Sequence, residues 1–230
     1  MGRARRPPRV AERTWLSWSS GKDSAWALHV LRANPAFEVV GLLTTITECF
    51  DRVVMHGVRR ELLERQADAA RMPLRTVALP YPCSNERYEE AMRAAVAGLR
   101  NEGVTRFASG DLFLEDVRRY RERLLAGSGV IPEFPLWKRD TRALAGQMTR
   151  EGLRARIVCV DPARAPDAWA GALFDEEFVP ALPEGVDPCA ENGEFHTFAF
   201  AGPMFAQPIA VQTGAVVRRD GFLFADLLPE

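Results

Sequence analysis

Ser19-Ser20-Gly21-Lys22-Asp23-Ser24 follows directly on the short apolar run at residues 14–18. A strand that ends in small residues and then opens a helix builds an anion cradle. Successive backbone N–H groups point into the turn, and the helix N-terminus adds about half a positive charge. Ser19, Ser20 and Ser24 supply hydroxyl donors, Gly21 permits close backbone approach, and Lys22 brings a full charge. Asp23 repels phosphate, so it either braces the turn through backbone N–H groups or helps to place a metal. The expected occupant is the pyrophosphate end of ATP. The spacing is neither G-x-x-x-x-G-K-[ST] nor G-x-G-x-x-G, which sets those two classes aside. The alternative is a serine-rich turn that only caps a helix. Against it, Lys22 and Lys138 are the only lysines in a chain otherwise basic through arginine, and a cradle calls for a compact point charge.

Outward from this loop, strand and helix signals alternate, which implies a Rossmann-like α/β fold: a parallel sheet with helices on both faces. Strands are expected at 14–18, 39–45, 74–79 and 104–109, with helices at 24–33, 58–71 and 112–125 and another opening at Ser84 or Asn85. Ligands in such sheets lie beyond the carboxyl ends of the strands. The 19–24 loop, Thr44-Thr45 and Gly110-Asp111 all fall at such ends, so they share one predicted nucleotide crevice. Gly127-Ser128-Gly129 marks a boundary, giving an ATP-binding domain at 14–128 and a smaller C-terminal α+β domain at 129–230. The latter holds a helix near 141–151, a strand at 156–160, a loop at 180–194 and a β-rich tail from 195 to 228 that turns at Arg219-Asp220-Gly221.

Composition excludes several classes. Net charge is −1 and the pI about 6.4, so no global basic field suggests nucleic acid. No apolar run approaches the ~20 residues that span a membrane. The basic, proline-containing start, 1–13, lacks a signal-peptide core and is expected to be disordered. Cys49, Cys83, Cys159 and Cys189 show no C-x-x-C spacing, which suits reduced thiols in a cytoplasm.

Magnesium arriving with ATP needs carboxylates, and Asp23, Asp111 and Glu115 are candidates, with Asp23 and Asp111 preferred; Asp111 could instead cap a helix. Arg118 and Arg121, three apart on one helix, could hold a substrate carboxylate or lie on a solvated arginine face. His56, in Met55-His56-Gly57, precedes a helix and could face the crevice. Glu191-Asn192-Gly193-Glu194-Phe195-His196-Thr197 concentrates polar residues just before a strand. In an extended segment Glu194 and His196 share one face. His196, with an ordinary pKa near ~6.5, is a candidate general base, or it only orients Glu194 or the backbone.

The 19–24 loop resembles the S-G-G-x-D-S loop of the PP-loop ATP pyrophosphatases, of adenine nucleotide alpha hydrolase-like (HUP-type) fold. Met55-His56, Gly110-Asp111-Leu112-Phe113-Leu114-Glu115-Asp116, Tyr120-Arg121-Glu122, Phe134-Pro135-Leu136-Trp137 with Arg139-Asp140, and the 187–197 segment follow in order. Together they are similar to the diphthine–ammonia ligase-like family from about residue 15 to 205. Ser20 replaces the first glycine of that loop, and His196 and Asn192 stand where the ligase motif C-G-E-G-G-E-Y-E-T has glutamate and glycine.

The resemblance implies that a carboxylate attacks the α-phosphate of ATP, pyrophosphate leaves, and ammonia or a small amine displaces AMP. Lys22 and Asp23 would act with Glu194 and His196 in catalysis. His56, Glu115, Arg118, Arg121, Trp137, Asp140, Glu191, Asn192, Gly193 and Thr197 would shape the acceptor side. Two other readings stay open: a tRNA-modifying relative using Cys83 or Cys189, and an ATP sensor that never cleaves its nucleotide. The β-rich tail could pair two copies into a homodimer.

Overall fold

The computed structural model describes residues 10–230. Residues 1–9 of the basic start lie outside these, and its Glu12 and Arg13 already belong to a strand. In chain order come β1 (Glu12–Ser17), α1 (Lys22–Ala33), β2 (Phe37–Thr47), β3 (Arg52–Val53), α2 (Arg60–Ala69) and β4 (Leu74–Leu79). Then follow α3 (Asn85–Asn101), β5 (Arg106–Ala108), α4 (Glu115–Leu125), β6 (Ile131–Glu133) and α5 (Thr141–Arg150). The C-terminal strands are β7 (Arg154–Val160), β8 (Leu173–Phe174), β9 (Phe195–Ala201), β10 (Val211–Arg219) and β11 (Phe222–Pro229).

The first sheet is parallel in the order β4-β2-β1-β5-β6, with β3 a short antiparallel addition to the end of β2. Chain order runs one way from β1 to β4 and the other way from β5 to β6. A crevice therefore opens where the direction reverses, beyond β1 and β5. Trp15 of β1 lies opposite Gly41 of β2, where a β-carbon would collide with the indole. β6 carries this sheet past Gly127-Ser128-Gly129. Pro132 hid it from the pattern, since proline suits only an edge strand, and β6 is that edge. β2 also outruns its expected end at Thr45 by two residues, and α4 begins three residues later than expected, at Glu115.

The second sheet is antiparallel and centres on β7, which pairs with β9 along one edge and with β11 and β8 along the other; β10 is its outer strand. One hydrophobic core joins the sheets, with Leu16, Trp18 and Trp26 packed into the same cluster as Phe174, Phe195 and Phe198. A buried polar clasp fixes their relative position. Trp18 Nε1 donates to Gln66 Oε1 at 2.7 Å, and Gln66 Nε2 donates to the carbonyls of Ser20 and Ala199 at 2.9 and 2.6 Å. The Ala199 N–H closes the loop on the Ser20 carbonyl at 2.9 Å. Satisfied buried groups of this kind specify one arrangement, because any shift would strand several of them.

Candidate active site

At the carboxyl edge of the parallel sheet, a polar cavity of about 180 Å³ opens between the two sheets. The first sheet contributes Ser19, Lys22, Asp23, His56 and Asp111; the second side contributes Cys189, Glu191, Gly193, His196 and Thr197.

The other residues of the 19–24 loop build the turn without facing the cavity. Ser24 Oγ donates to the Gly21 carbonyl at 2.9 Å and lies 3.2 Å from Ser19 Oγ. Ser20 is buried in a left-handed conformation at φ 71°, its hydroxyl without a partner among the described residues. Gly21 serves a close approach: a β-carbon there would stand 2.8 Å from His56 Cε1 and 3.2 Å from the Thr197 carbonyl. Gly110 likewise packs on the start of α1, where a β-carbon would meet the Asp23 carbonyl at 3.0 Å. Thr44 and Thr45 stay inside β2, outside the cavity, and the Thr44 hydroxyl is given to the Trp18 carbonyl at 2.7 Å.

The first N–H groups of a helix have no intrahelical acceptor. In α1 the second sheet takes one of them: Lys22 N–H donates to Thr197 Oγ1 at 3.0 Å. The Lys22 side chain is buried, and Nζ donates to Asp23 Oδ2 at 2.9 Å and to the Cys189 carbonyl. It lies 5.6 and 5.5 Å from the ring centres of Phe174 and Phe195. An ammonium has three N–H groups, so one remains for an anion in the cavity. Burial opposes the Lys22 charge, but Asp23, Cys189 and Glu191 outweigh it and hold its pKa above the ordinary value. Burial also lifts the Asp23 carboxyl, with Lys22 pulling it back. Asp23 Oδ1 has no partner among the described residues.

His56 Nδ1 donates to the Thr197 carbonyl at 3.0 Å, and its ring lies 4.7 Å from that of His196, tilted by 36°. Burial, followed by His196, pushes His56 well below its ordinary pKa; burial and Lys22 push His196 down to about 4. Both imidazoles are therefore neutral at pH 7. His196 lacks the ordinary pKa on which a general-base role was premised, although a polyphosphate bound nearby would raise it.

The 187–197 segment is a braced loop. Asp187 Oδ1 accepts the N–H groups of Cys189 and Glu191 at 2.8 and 3.3 Å, and Oδ2 accepts the Thr141 hydroxyl at 2.8 Å. Glu194, 4% exposed, stands one residue before β9 and lies outside the cavity that His196 lines. Its Oε1 accepts the Asp187 N–H at 3.0 Å and the Asn192 amide at 3.3 Å, which makes it a brace. Asn192 is exposed, and Arg164 holds its carbonyl at 2.9 Å. Glu191 Oε1 accepts the Leu112 N–H at 2.8 Å, tying the loop before α4 to this segment. Burial lifts the Glu191 carboxyl to about 7, with Asp23 and Asp111 adding to the rise against the Leu112 N–H.

Residues expected from α4 and its neighbours are taken by partners. Arg121 Nη2 donates to Asp111 Oδ1 at 3.0 Å with Nε beside Oδ2, so that arginine is not open to a substrate carboxylate. Asp111 lines the cavity but, lying before α4, does not cap it. Arg118 Nε donates to Glu122 at 2.8 Å, its guanidinium 5.0 and 4.8 Å from the rings of Phe134 and Trp137. Glu115 is exposed, 3.6 Å from Lys138. Asp140 caps α5 by accepting the Ala143 N–H at 2.7 Å. Glu115, Arg118, Arg121, Trp137 and Asp140 all lie outside the polar cavity.

Two contributions escaped the sequence. Cys189 acts through its carbonyl, which no side-chain pattern can mark, and Gln66 through a clasp that spans 133 positions to Ala199. Beyond the histidine pair lies a second, more apolar cavity of about 430 Å³. Met55 and Gly57, on either side of His56, line it, as does Cys159, the β7 partner of His196.

Fold and pocket define a Rossmann-like α/β protein with a polar site at the carboxyl edge of its parallel sheet, closed by a second, antiparallel sheet. The chain belongs to the diphthamide synthase family. The family model for the diphthamide synthase N-terminal domain matches residues 12–132, and that for the diphthamide synthase C-terminal domain matches residues 140–223. The diphthine–ammonia ligases of Homo sapiens and Bos taurus are each 26% identical to it over 235 residues, covering 90% of this chain and 85% of theirs. That of Danio rerio is 33% identical over 114 residues, 46% of this chain and 45% of its own.

Proposed function

We propose that the chain is an ATP-dependent ligase that joins a carboxylate to ammonia or a small amine, releasing AMP and pyrophosphate. The observation that carries this reading is the start of α1 at the polar cavity: a helix N-terminus, Ser19 and a buried Lys22 with one donor to spare, in a family whose relatives are named diphthine–ammonia ligases.

The nucleotide phosphates would lie against the start of α1 at Asp23, with Ser19 Oγ and Lys22 Nζ alongside. The acceptor carboxylate oxygen attacks the α-phosphorus; the bond to the bridging oxygen breaks, and pyrophosphate leaves with its electron pair. The amine nitrogen then attacks the acyl carbon, AMP departs with the former carboxylate oxygen, and the nitrogen gives up a proton to solvent. Lys22 and the helix start stabilise the charge that grows on the leaving pyrophosphate. Among the described residues no three His, Cys, Asp or Glu side chains gather as a metal site; Asp23, which lines the cavity, would help to hold magnesium brought by ATP. The ion would neutralise phosphate charge there. His196, on the cavity wall, would accept a hydrogen bond from the incoming amine.

Nothing favours a thiol route through Cys189. Its sulfur is buried, donates to the Thr141 carbonyl at 3.4 Å, and has a pKa raised by that burial. No helix among the described residues is long and apolar enough to cross a membrane. The four free cysteines support a reducing, cytoplasmic setting.

The test is product analysis with Mg·ATP, ammonium and either diphthine or a panel of small carboxylic acids. Equal amounts of AMP and pyrophosphate, dependent on ammonium and reduced about 10²- to 10³-fold in Lys22→Ala, are expected. ADP and phosphate as products would overturn the reading. ATP bound but uncleaved with every acceptor would replace it with the sensor.

A further inference from the structure

The 430 Å³ cavity beyond the histidine pair is lined by no residue of the 19–24 loop. Phe222, Phe224 and Tyr88 form its walls, and its rim carries Phe50, Met55 and Tyr81, which are 40%, 56% and 53% exposed. Large apolar side chains left exposed around one mouth mark a ligand site, since packing alone would bury them.

The charged residues of the lining narrow the ligand. They are Arg52, Arg219 and Asp220. Arg52 is held by Asp226 at 2.9 Å and by the Gly57 carbonyl at 2.7 Å, and Asp220 accepts the Tyr81 hydroxyl at 2.8 Å. Arg219 lies 4.8 Å from the ring centres of Phe50 and of Phe224, and no ion pair joins it to a carboxylate among the described residues. An arginine stacked on aromatic rings in an apolar wall, with its donors uncommitted, is suited to a carboxylate or phosphate.

We infer that this cavity holds the acceptor, and that the acceptor has an apolar or aromatic body and an anionic group for Arg219 besides the carboxylate that is activated. This rests on the ligase reading. The body would fill the cavity while the reacting carboxylate passes the imidazoles of His56 and His196 into the polar site. The base of a nucleotide would offer Arg219 neutral acceptors and a ring face but no charge to pair.

Three probes with one body separate the possibilities: 3-phenylpropionate, 3-phenylpropan-1-ol and 3-phenylpropylamine, titrated calorimetrically with and without Mg·α,β-methylene-ATP. The anion is expected to bind about 10-fold or more tightly than the amine. Arg219→Ala removes that preference and Arg219→Lys keeps most of it, both binding the nucleotide analogue like the wild type. Binding of the anion persists with the analogue present. Equal affinity for all three probes, no binding of the anion, or an unchanged preference in Arg219→Ala overturns the inference. So does loss of the anion when the analogue binds, which would give the cavity to the nucleotide base. Failure of the analogue itself to bind strikes the ligase reading instead, so the two failures are distinct.

Discussion

The loop after β1 and the helix after β5 leave the same edge of one sheet, yet their charged residues end differently. Lys22 and Asp23 both line the cavity, and each keeps an uncommitted polar group, a third ammonium N–H and a buried Oδ1 without a partner among the described residues. Arg118, Arg121 and Glu115 are consumed by Glu122, Asp111 and Lys138. Position at a strand end says where the crevice is. Which residues are available there depends on their partners, and those come from elsewhere in the chain.

Removing Lys22 breaks that contrast hardest. Lys22→Ala leaves the Asp23 carboxylate and the Cys189 carbonyl without their buried cation, and stability should fall by about 3–5 kcal/mol in urea unfolding. Next comes the junction between the sheets. Thr197→Val keeps shape but strands the Lys22 N–H, for a loss of about 1–3 kcal/mol and weaker nucleotide binding.

The pH dependence sharpens the comparison further. Glu191 ordinarily titrates at 4.5 and is lifted to about 7 in the fold, chiefly by burial. The unfolded chain therefore releases this proton first. Its stabilising contribution is complete below pH 4.5 and is lost as pH rises through 7, and Glu191→Gln should flatten that slope when unfolding is followed across the window. The smallest effect belongs to the α4 side. Arg118→Ala should change stability by less than about 1 kcal/mol, because its ion pair is half-exposed, and leave turnover unchanged.

Legibility followed the range of the interactions. β1, the 19–24 loop and α1 were readable because apolar run, small residues and helix signal are contiguous. The cavity side of 187–197 was readable as a polar cluster, but not its division of labour. Whether Glu194 faces the cavity or braces Asp187 depends on where β9 starts, and whether His196 can take a proton depends on its burial beside Lys22. β6 was missed because Pro132 looks like a breaker until the strand is seen to be an edge. Cys189 and Gln66 act through long-range partners that no local pattern encodes.

The central claim is that the start of α1, with Lys22 locked between Asp23 and Cys189, is the phosphate site. A calorimetric titration with Mg·ATP of the wild type, Lys22→Ala and Arg118→Ala tests it most directly. Binding to the wild type and Arg118→Ala, with affinity lowered at least about 10-fold in Lys22→Ala, is the predicted result. Binding to Lys22→Ala as tight as to the wild type, or no binding to any of the three, would contradict it.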